Sequence, residues 1–215
     1  MMRQAITRNA LVLSLFAIGT AAMLALTNNS TLPQIQCNRE LALQNSLLEV
    51  IPADRFDNVL LADSVTVNDP LLGRGEHTIY RARMDGAASG LVVQATAPDG
   101  YGGAIRLLIG VDETGSLTGV RMIPPHNETP GLGDNIDIRK SDWITGFNGK
   151  SLGNTDDKDW AVRKDGGKFD AFTGATITPR AVVGAVHRAL KYVAREHDAI
   201  FNLPAGTDHQ ESCND

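Results

Sequence analysis

The string Asp170-Ala-Phe-Thr-Gly-Ala-Thr-Ile-Thr-Pro179 gathers small residues and hydroxyls just ahead of an amphipathic run. Gly174 permits a tight backbone approach and Ala175 adds almost no bulk, which leaves the Thr176 hydroxyl accessible. Thr178 followed by Pro179 has the form of a helix N-cap with proline at the first helical position. Free N–H groups and the dipole at such an end favour a phosphate, and Thr173 and Thr178 supply further hydroxyl donors. The same string also reads as an elaborate turn and helix cap with no ligand at all. A second group, Glu128-Thr-Pro-Gly-Leu-Gly133, sets Pro130-Gly131 at the central positions of a type II turn with exposed N–H groups. A plain surface turn shaped by its glycines is the competing reading.

Other chemistries find no support. His77, His126, His187, His197 and His209 are scattered, none pairs with another at helical spacing, and no CxxC occurs. His126-Asn-Glu128 matches the H-x-E of zinc deaminases, but no P-C-x-x-C follows. Neither G-x-G-x-x-G nor a phosphate loop ending in GK[ST] is present, and there is no G-x-S-x-G. The sequence predicts neither a catalytic triad nor a metal site.

The anion-holding segment must be carried by a scaffold, and the chain has the length for one domain of ordinary size: 215 residues, 42% of them hydrophobic and 21% charged. Val182, Val183, Val186, Ala189, Leu190 and Val193 recur at helical spacing behind Thr178-Pro179 and predict a helix. Ahead of it, Thr78–Arg83, Gly90–Ala97, Gly103–Val111 and Leu117–Ile123 are β-rich runs separated by turn-formers, which predicts an antiparallel meander. Pro124–Asp137 and the polar stretch to Asp159 are long loops around Trp143–Phe147, whose aromatic residues suit the core. Residues 38–62 predict a juxtamembrane helix broken at Pro52 and a second short helix around Phe56–Leu61.

Ala10–Leu26 carries no charge, and its seventeen residues cover about 25 Å as a helix against a hydrocarbon core of about 30 Å. Thr27, Asn28 and Asn29 complete a span, while Arg3 and Arg8 before it place the N-terminus in the cytoplasm. A cleaved signal peptide is the alternative. Cys37 and Cys213 both fall beyond this segment, where a disulfide could persist; two unrelated thiols is the other reading. The net charge of −5 leaves 18 of the 20 Lys and Arg against all 25 Asp and Glu beyond residue 30, which argues against nucleic-acid binding. The expected organisation is a cytoplasmic N-terminus at 1–9, a transmembrane helix at 10–29 and a juxtamembrane helical segment at 30–77. An α+β domain with a mainly antiparallel sheet packed by helices follows at 78–203, then a polar tail at 204–215.

The string D-A-F-T-G-A-T resembles the D-x-x-[ST]-G-A-T flavinylation motif of FMN-binding domains in bacterial respiratory complexes. His126–Gly133 and Gly100–Gly103 resemble two further segments of that family, in the same order, and the N-terminal span resembles it as well. The nearest pattern is that of the G subunits of Rnf/Rsx ion-translocating electron-transport complexes. The C subunits of the sodium-pumping NADH:quinone reductase are similar but usually longer, and a membrane-anchored flavin-binding regulatory module would use the same motif. The resemblance implies FMN joined through its phosphate to Thr176, with Asp170, Thr173, Gly174, Ala175 and Thr178 around the attachment point. It implies Glu128, Thr129, Gly131 and Leu132 lining the flavin; Tyr101, read from its own side chain, stands either near the ring or as a structural aromatic. A threonine hydroxyl is a weak nucleophile without a base, and the motif holds none, so a separate Mg-dependent flavin transferase is expected as maturation partner. Asp170 would serve that transferase. The implied setting is a single-pass protein of the bacterial inner membrane with its C-terminal domain in the periplasm. Its partners are the other subunits of the complex, and it relays electrons without turnover of its own.

Overall fold

A computed structural model describes residues 2–206 of the chain. The first element, α1, runs from Met2 to Val50, and Pro33 lies inside it. Leu11, Leu13, Phe16, Ile18, Met23, Leu24 and Leu26 are all exposed on it. Near the N-terminus the helix is long and apolar enough to cross a membrane, with a window of mean hydropathy 2.2. The expected span at 10–29 and the juxtamembrane helix are thus one element; hydroxyls of Ser30 and Thr31 donate to the Thr27 carbonyl, both at 2.9 Å, just before the proline. The stretch through Leu43 and the domain from Gln44 onward are separate compact units. Cys37 lies on α1; Cys213, which the sequence left either bridged to it or unrelated, and the tail beyond residue 206 lie outside the described residues.

Within the domain, five strands form one antiparallel sheet in chain order: β1 (Ser64–Val67), β2 (His77–Met84), β3 (Ala87–Gly100), β4 (Gly103–Asp112) and β5 (Leu117–Met122). The four strands read from the sequence are present within a few residues of their expected ends. Strand β1 falls inside the stretch read as helical and pairs Ser64–Val67 with His77–Tyr80. The helix expected around Phe56–Leu61 is absent. Pro52 stops α1, a single 3-10 turn follows at Ala53–Arg55, and Phe56 is extended. Asn58 then binds the edge of β2 twice: its amide donates to the Arg81 carbonyl at 2.9 Å, and its Oδ1 accepts the Arg83 N–H at 2.8 Å. The Asp57 N–H donates to the Arg83 carbonyl at 2.9 Å, so pairing with the sheet replaces the local helix.

Side chains alternate across a strand, and the two faces of this sheet meet different partners. Leu91, Val93, Ala95 and Ala97 of β3, with Ile105, Leu107, Ile109 and Val111 of β4, join one core with α2 (Ile177–Asn202) through Val182, Val183, Val186, Ala189, Leu190 and Val193. Each fully buried large aliphatic side chain contributes about 1.5–3 kcal/mol. The other face receives Leu47, Val50 and Ile51, all buried, at the end of α1. Gly110 makes that approach possible, since a Cβ there would collide with the Val50 carbonyl.

The long segment between β5 and α2 is ordered by short 3-10 turns and aromatic packing. Phe147 is fully buried, stacks on Phe169 at 4.7 Å between ring centres, and meets Trp143 edge-on at 5.5 Å. Trp143 also contacts Phe172 at 5.2 Å and donates its indole N–H to the Asp170 carbonyl at 2.8 Å. The tryptophan therefore grips the first residues of the motif. At the far end of α2, the buried Arg81 guanidinium of β2 pairs with Asp63 and donates to the carbonyls of Ile200 and Leu203. This cation terminates a helix that has no basic residue in its own last turn.

Candidate functional site

Phe172 to Ala175 forms a tight turn in which the Ala175 N–H donates to the Phe172 carbonyl at 3.0 Å. Gly174 sits at φ +82°, the left-handed value that the third position of a type II turn requires. The turn delivers the chain into α2, which starts two residues earlier than the Thr178-Pro179 pair suggests. Thr176 is the N-cap and its hydroxyl makes no capping bond. The first bond across the helix start runs from the Arg180 N–H to the Thr176 carbonyl at 3.2 Å. Pro179 has no N–H, so within the first turn Ile177 and Thr178 carry the donors without an intrahelical partner. Thr178 is fully buried, and its hydroxyl donates to Glu128 Oε2 instead of capping α2.

The second segment folds as its sequence indicates. The Leu132 N–H donates to the Thr129 carbonyl at 3.1 Å across Pro130-Gly131, with Gly131 at φ +75°, a type II turn. Glu128, only 5% exposed, is the joint of the site. Its Oε1 accepts the Gly102 N–H at 3.0 Å while its Oε2 accepts the Thr178 hydroxyl, so one carboxylate ties the β3–β4 hairpin tip to the first turn of α2. Its own N–H donates to His126 Nδ1 at 3.2 Å. The hairpin tip lies so close to the loop that a Cβ on Gly102 would run into the Asn127 carbonyl.

Three stretches far apart in the chain thereby enclose one cleft of about 210 Å³. Tyr101 lines it from the hairpin, Glu128, Thr129, Leu132 and Gly133 from the loop, and Gly174 to Thr178 from the motif and helix start. Of the residues singled out from the sequence, Glu128, Thr129, Leu132, Gly174, Ala175, Thr176 and Thr178 come together here. Gly131 is exposed on the turn and does not line the cleft. Thr173 is exposed at the tip of its own turn, and Asp170 pairs with Arg163 at 2.7 Å on the surface. Lys168 is held by Asp159 at 2.6 Å, a contact that raises its ammonium above the ordinary lysine range. Sequence reasoning left out Gly133 and Ile177. Ile177 lay between Thr176, read as the attachment point, and Thr178, read as the cap, and its place on the cleft follows from the earlier helix start.

The cleft offers an unengaged hydroxyl, two helix-start N–H groups and an apolar rim, but none of the described Lys or Arg residues lines it. Such a site suits a group carrying one negative charge better than a free dianion, because a helix N-terminus contributes only about 0.3–1 kcal/mol toward each anion.

Comparison with known proteins agrees with this architecture. Residues 100–191 match the FMN-binding domain family, and residues 1–50 match the RnfG N-terminal region. The chain is 47% identical to the G subunit of the ion-translocating oxidoreductase complex of Escherichia coli O157:H7, covering 95% of this chain and 98% of that one. It is 46% identical to the corresponding G subunit of Pseudomonas aeruginosa over 97% of this chain and 98% of the relative. With the Shewanella loihica G subunit it shares 44% identity over 97% and 99% of the two chains. The cleft, the membrane-length helix and the full-length similarity lead to one conclusion: the chain belongs to the family of G subunits of ion-translocating oxidoreductase complexes, with an FMN-binding domain.

Proposed function

We propose that Thr176 carries FMN as a phosphoester, and that the domain holds this flavin as a relay for electrons moving through a membrane complex that transports cations. The observation that carries the reading is Thr176, which lines the cleft at the start of α2 with its hydroxyl spent on no cap. Esterification fits the donor set. Joined to Thr176, the phosphate keeps one charge, which the Ile177 and Thr178 N–H groups and the helix dipole can meet without a basic side chain. When bound, FMN supplies the exchange of electrons. The chain's own residues tether it at one atom, orient it against the apolar rim of Leu132, Ile177 and Tyr101, and keep the Glu128 carboxylate occupied with protein donors.

Among the described residues no general base is free for the Thr176 hydroxyl, because Glu128, the carboxylate on the cleft, is committed to Gly102 and Thr178. This supports attachment by a Mg-dependent transferase using FAD. The Thr176 Oγ–P bond forms, the pyrophosphate P–O bond of FAD breaks, AMP leaves, and the hydroxyl proton passes to the transferase. Asp170, Thr173 and Gly174 are exposed around the attachment point, where a transferase can read them. Arg3 and Arg8 ahead of the apolar stretch of α1 support a single-pass anchor in the inner membrane with the domain on the periplasmic side. Partner subunits would complete the electron path, so no turnover by this chain alone is expected. The test is intact mass of the full chain exported with an active transferase, beside Thr176→Val. A gain equal to FMN minus water, absent in the variant, supports the assignment; an unmodified wild-type chain or a modified Thr176→Val chain overturns it.

A further inference from the structure

We infer that Tyr101 packs its ring against the isoalloxazine of the tethered flavin and positions it; this rests on the Thr176 attachment proposed above. Tyr101 stands at the tip of the β3–β4 hairpin, 69% exposed, yet lines the same cleft as Thr176. Its backbone is not free to swing away. Gly100 and Gly103 close the hairpin as a pair, the Gly102 N–H is held by Glu128, and the Asn127 carbonyl occupies the space that a Cβ on Gly102 would need. The protein thus spends several contacts on fixing the mount of a side chain whose own ring and hydroxyl meet no ring, cation or hydrogen-bond partner among the described residues. A large amphipathic ring held in that way has its face available for a flat ligand.

The other large apolar side chains on the cleft, Leu132 and Ile177, are 39% and 45% exposed, so the apolar lining around the attachment point is uncovered at three separate places. Leucine and isoleucine can supply contact area to a planar ring but no stacking. Among the described residues Tyr101 is the one aromatic side chain on the cleft, so it is the residue that can fix the tilt of the ring about the flexible ribityl chain. A phenol in contact with a flavin also quenches its fluorescence, because an electron passes from the phenol to the excited ring and returns. This gives a readout independent of electron-transport activity.

The experiment compares full-length wild type, Tyr101→Leu, Tyr101→Phe and Tyr101→Trp after export with the transferase, each in detergent. Intact mass is read first, and one FMN per chain is expected in all four. Flavin fluorescence lifetime is then expected to lengthen several-fold in Tyr101→Leu and Tyr101→Phe and to stay short in Tyr101→Trp, whose indole is also a donor. Should Tyr101→Leu load poorly, Tyr101→Phe keeps the ring and carries the comparison. Equal lifetimes in loaded wild type, Leu and Phe chains would overturn the placement of Tyr101 while leaving the attachment intact. A wild-type chain without the mass gain would overturn the attachment itself.

Discussion

Replacing Glu128 with alanine removes the acceptor on which the hairpin tip and the start of α2 both depend. The Gly102 N–H and the Thr178 hydroxyl lose their partner in a place where Thr178 is fully buried and Glu128 only 5% exposed. A hydrogen bond to a charged group is worth about 1.5–3 kcal/mol, so losing two places the cost at roughly 3–6 kcal/mol. Glu128→Gln keeps the shape: its carbonyl can accept from Gly102 and its amide can donate to a rotated Thr178 hydroxyl, for a loss of about 1 kcal/mol. Thr178→Val strands one carboxylate oxygen, and the double variant with Glu128→Ala should fall short of additivity by roughly 1–2 kcal/mol because the two residues share one bond. Urea unfolding of the full chain in detergent, followed by tryptophan fluorescence, reports on this domain, since Trp143 and Trp160 both lie in it and α1 contains no tryptophan. At a slope of about 2 kcal/mol per molar urea, Glu128→Ala should lower the midpoint by about 2 M. A loss under about 1 kcal/mol for the alanine, or strict additivity in the double variant, would refute the role given to Glu128.

Arg81→Leu removes the cation from the Ile200 and Leu203 carbonyls and leaves Arg83 to hold the partly buried Asp63 at 2.7 Å while it reaches the Phe201 carbonyl at 3.4 Å; the expected loss is about 3 kcal/mol. Hydrogen exchange should show it in the last turn of α2 first, and uniform loss of protection along the helix would contradict it. Burial holds His77 below the usual imidazole range; burial, with Lys191 adding to it, does the same for His187, against a smaller opposing pull from Asp157. Both stay neutral in the fold where the unfolded chain takes up protons at about pH 6.5, so stability is unaffected above that value and falls as pH drops through and below it. The urea midpoint should therefore be lower at pH 5.5 than at 7.5, above the carboxylate range, and His187→Gln should flatten part of the slope; an equal or higher midpoint at pH 5.5 would rule this out.

The sheet was legible because each of β2 to β5 is a run of β-formers closed by turn residues such as Asp85-Gly86 or Asp112 to Gly115. What decides such strands lies within a dozen residues. Strand β1 is four residues long, Ser64-Val-Thr-Val67, and offers no pattern to set it apart from the loop before it. Phe56–Leu61 misled for a related reason: a short apolar run has no fixed period, and the contact that settles it, Asn58 on the β2 edge, is made 23 to 25 residues away. The start of α2 shows the same limit. Both Thr176 and Thr178 qualify as caps by local chemistry; Thr178 is drawn inside by Glu128, fifty residues earlier, and Thr176 is left with its hydroxyl uncommitted. The resemblance supplied the three segments of the cleft, but only the fold shows that Glu128 joins them, and that Asp170, Thr173 and Gly131 stand outside it.

The way α2 is held gives the site its physical logic. Twenty-six residues long, about 39 Å, the helix lies across the sheet with its apolar face buried and is fastened at both ends by residues from elsewhere in the fold. At its C-terminus the partial negative charge meets Arg81 of β2. At its N-terminus the partial positive charge has no carboxylate from its own first turn to meet it, and the carboxylate on the cleft, Glu128, is already bound to Gly102 and Thr178. One end of the dipole is thus answered by the protein and the other is left for a ligand. An anion esterified to Thr176 would complete the pattern at the one point where the helix, the hairpin tip and the loop are all fixed relative to the sheet. Fixing matters for a relay, since electron transfer depends steeply on distance, and a cofactor tethered to a frayed helix end would sample many. On this argument the cost of Glu128→Ala has two parts. The domain loses stability, and whatever flavin is attached loses its fixed position, which the lifetime of its fluorescence should report as a spread of values in place of a single short one.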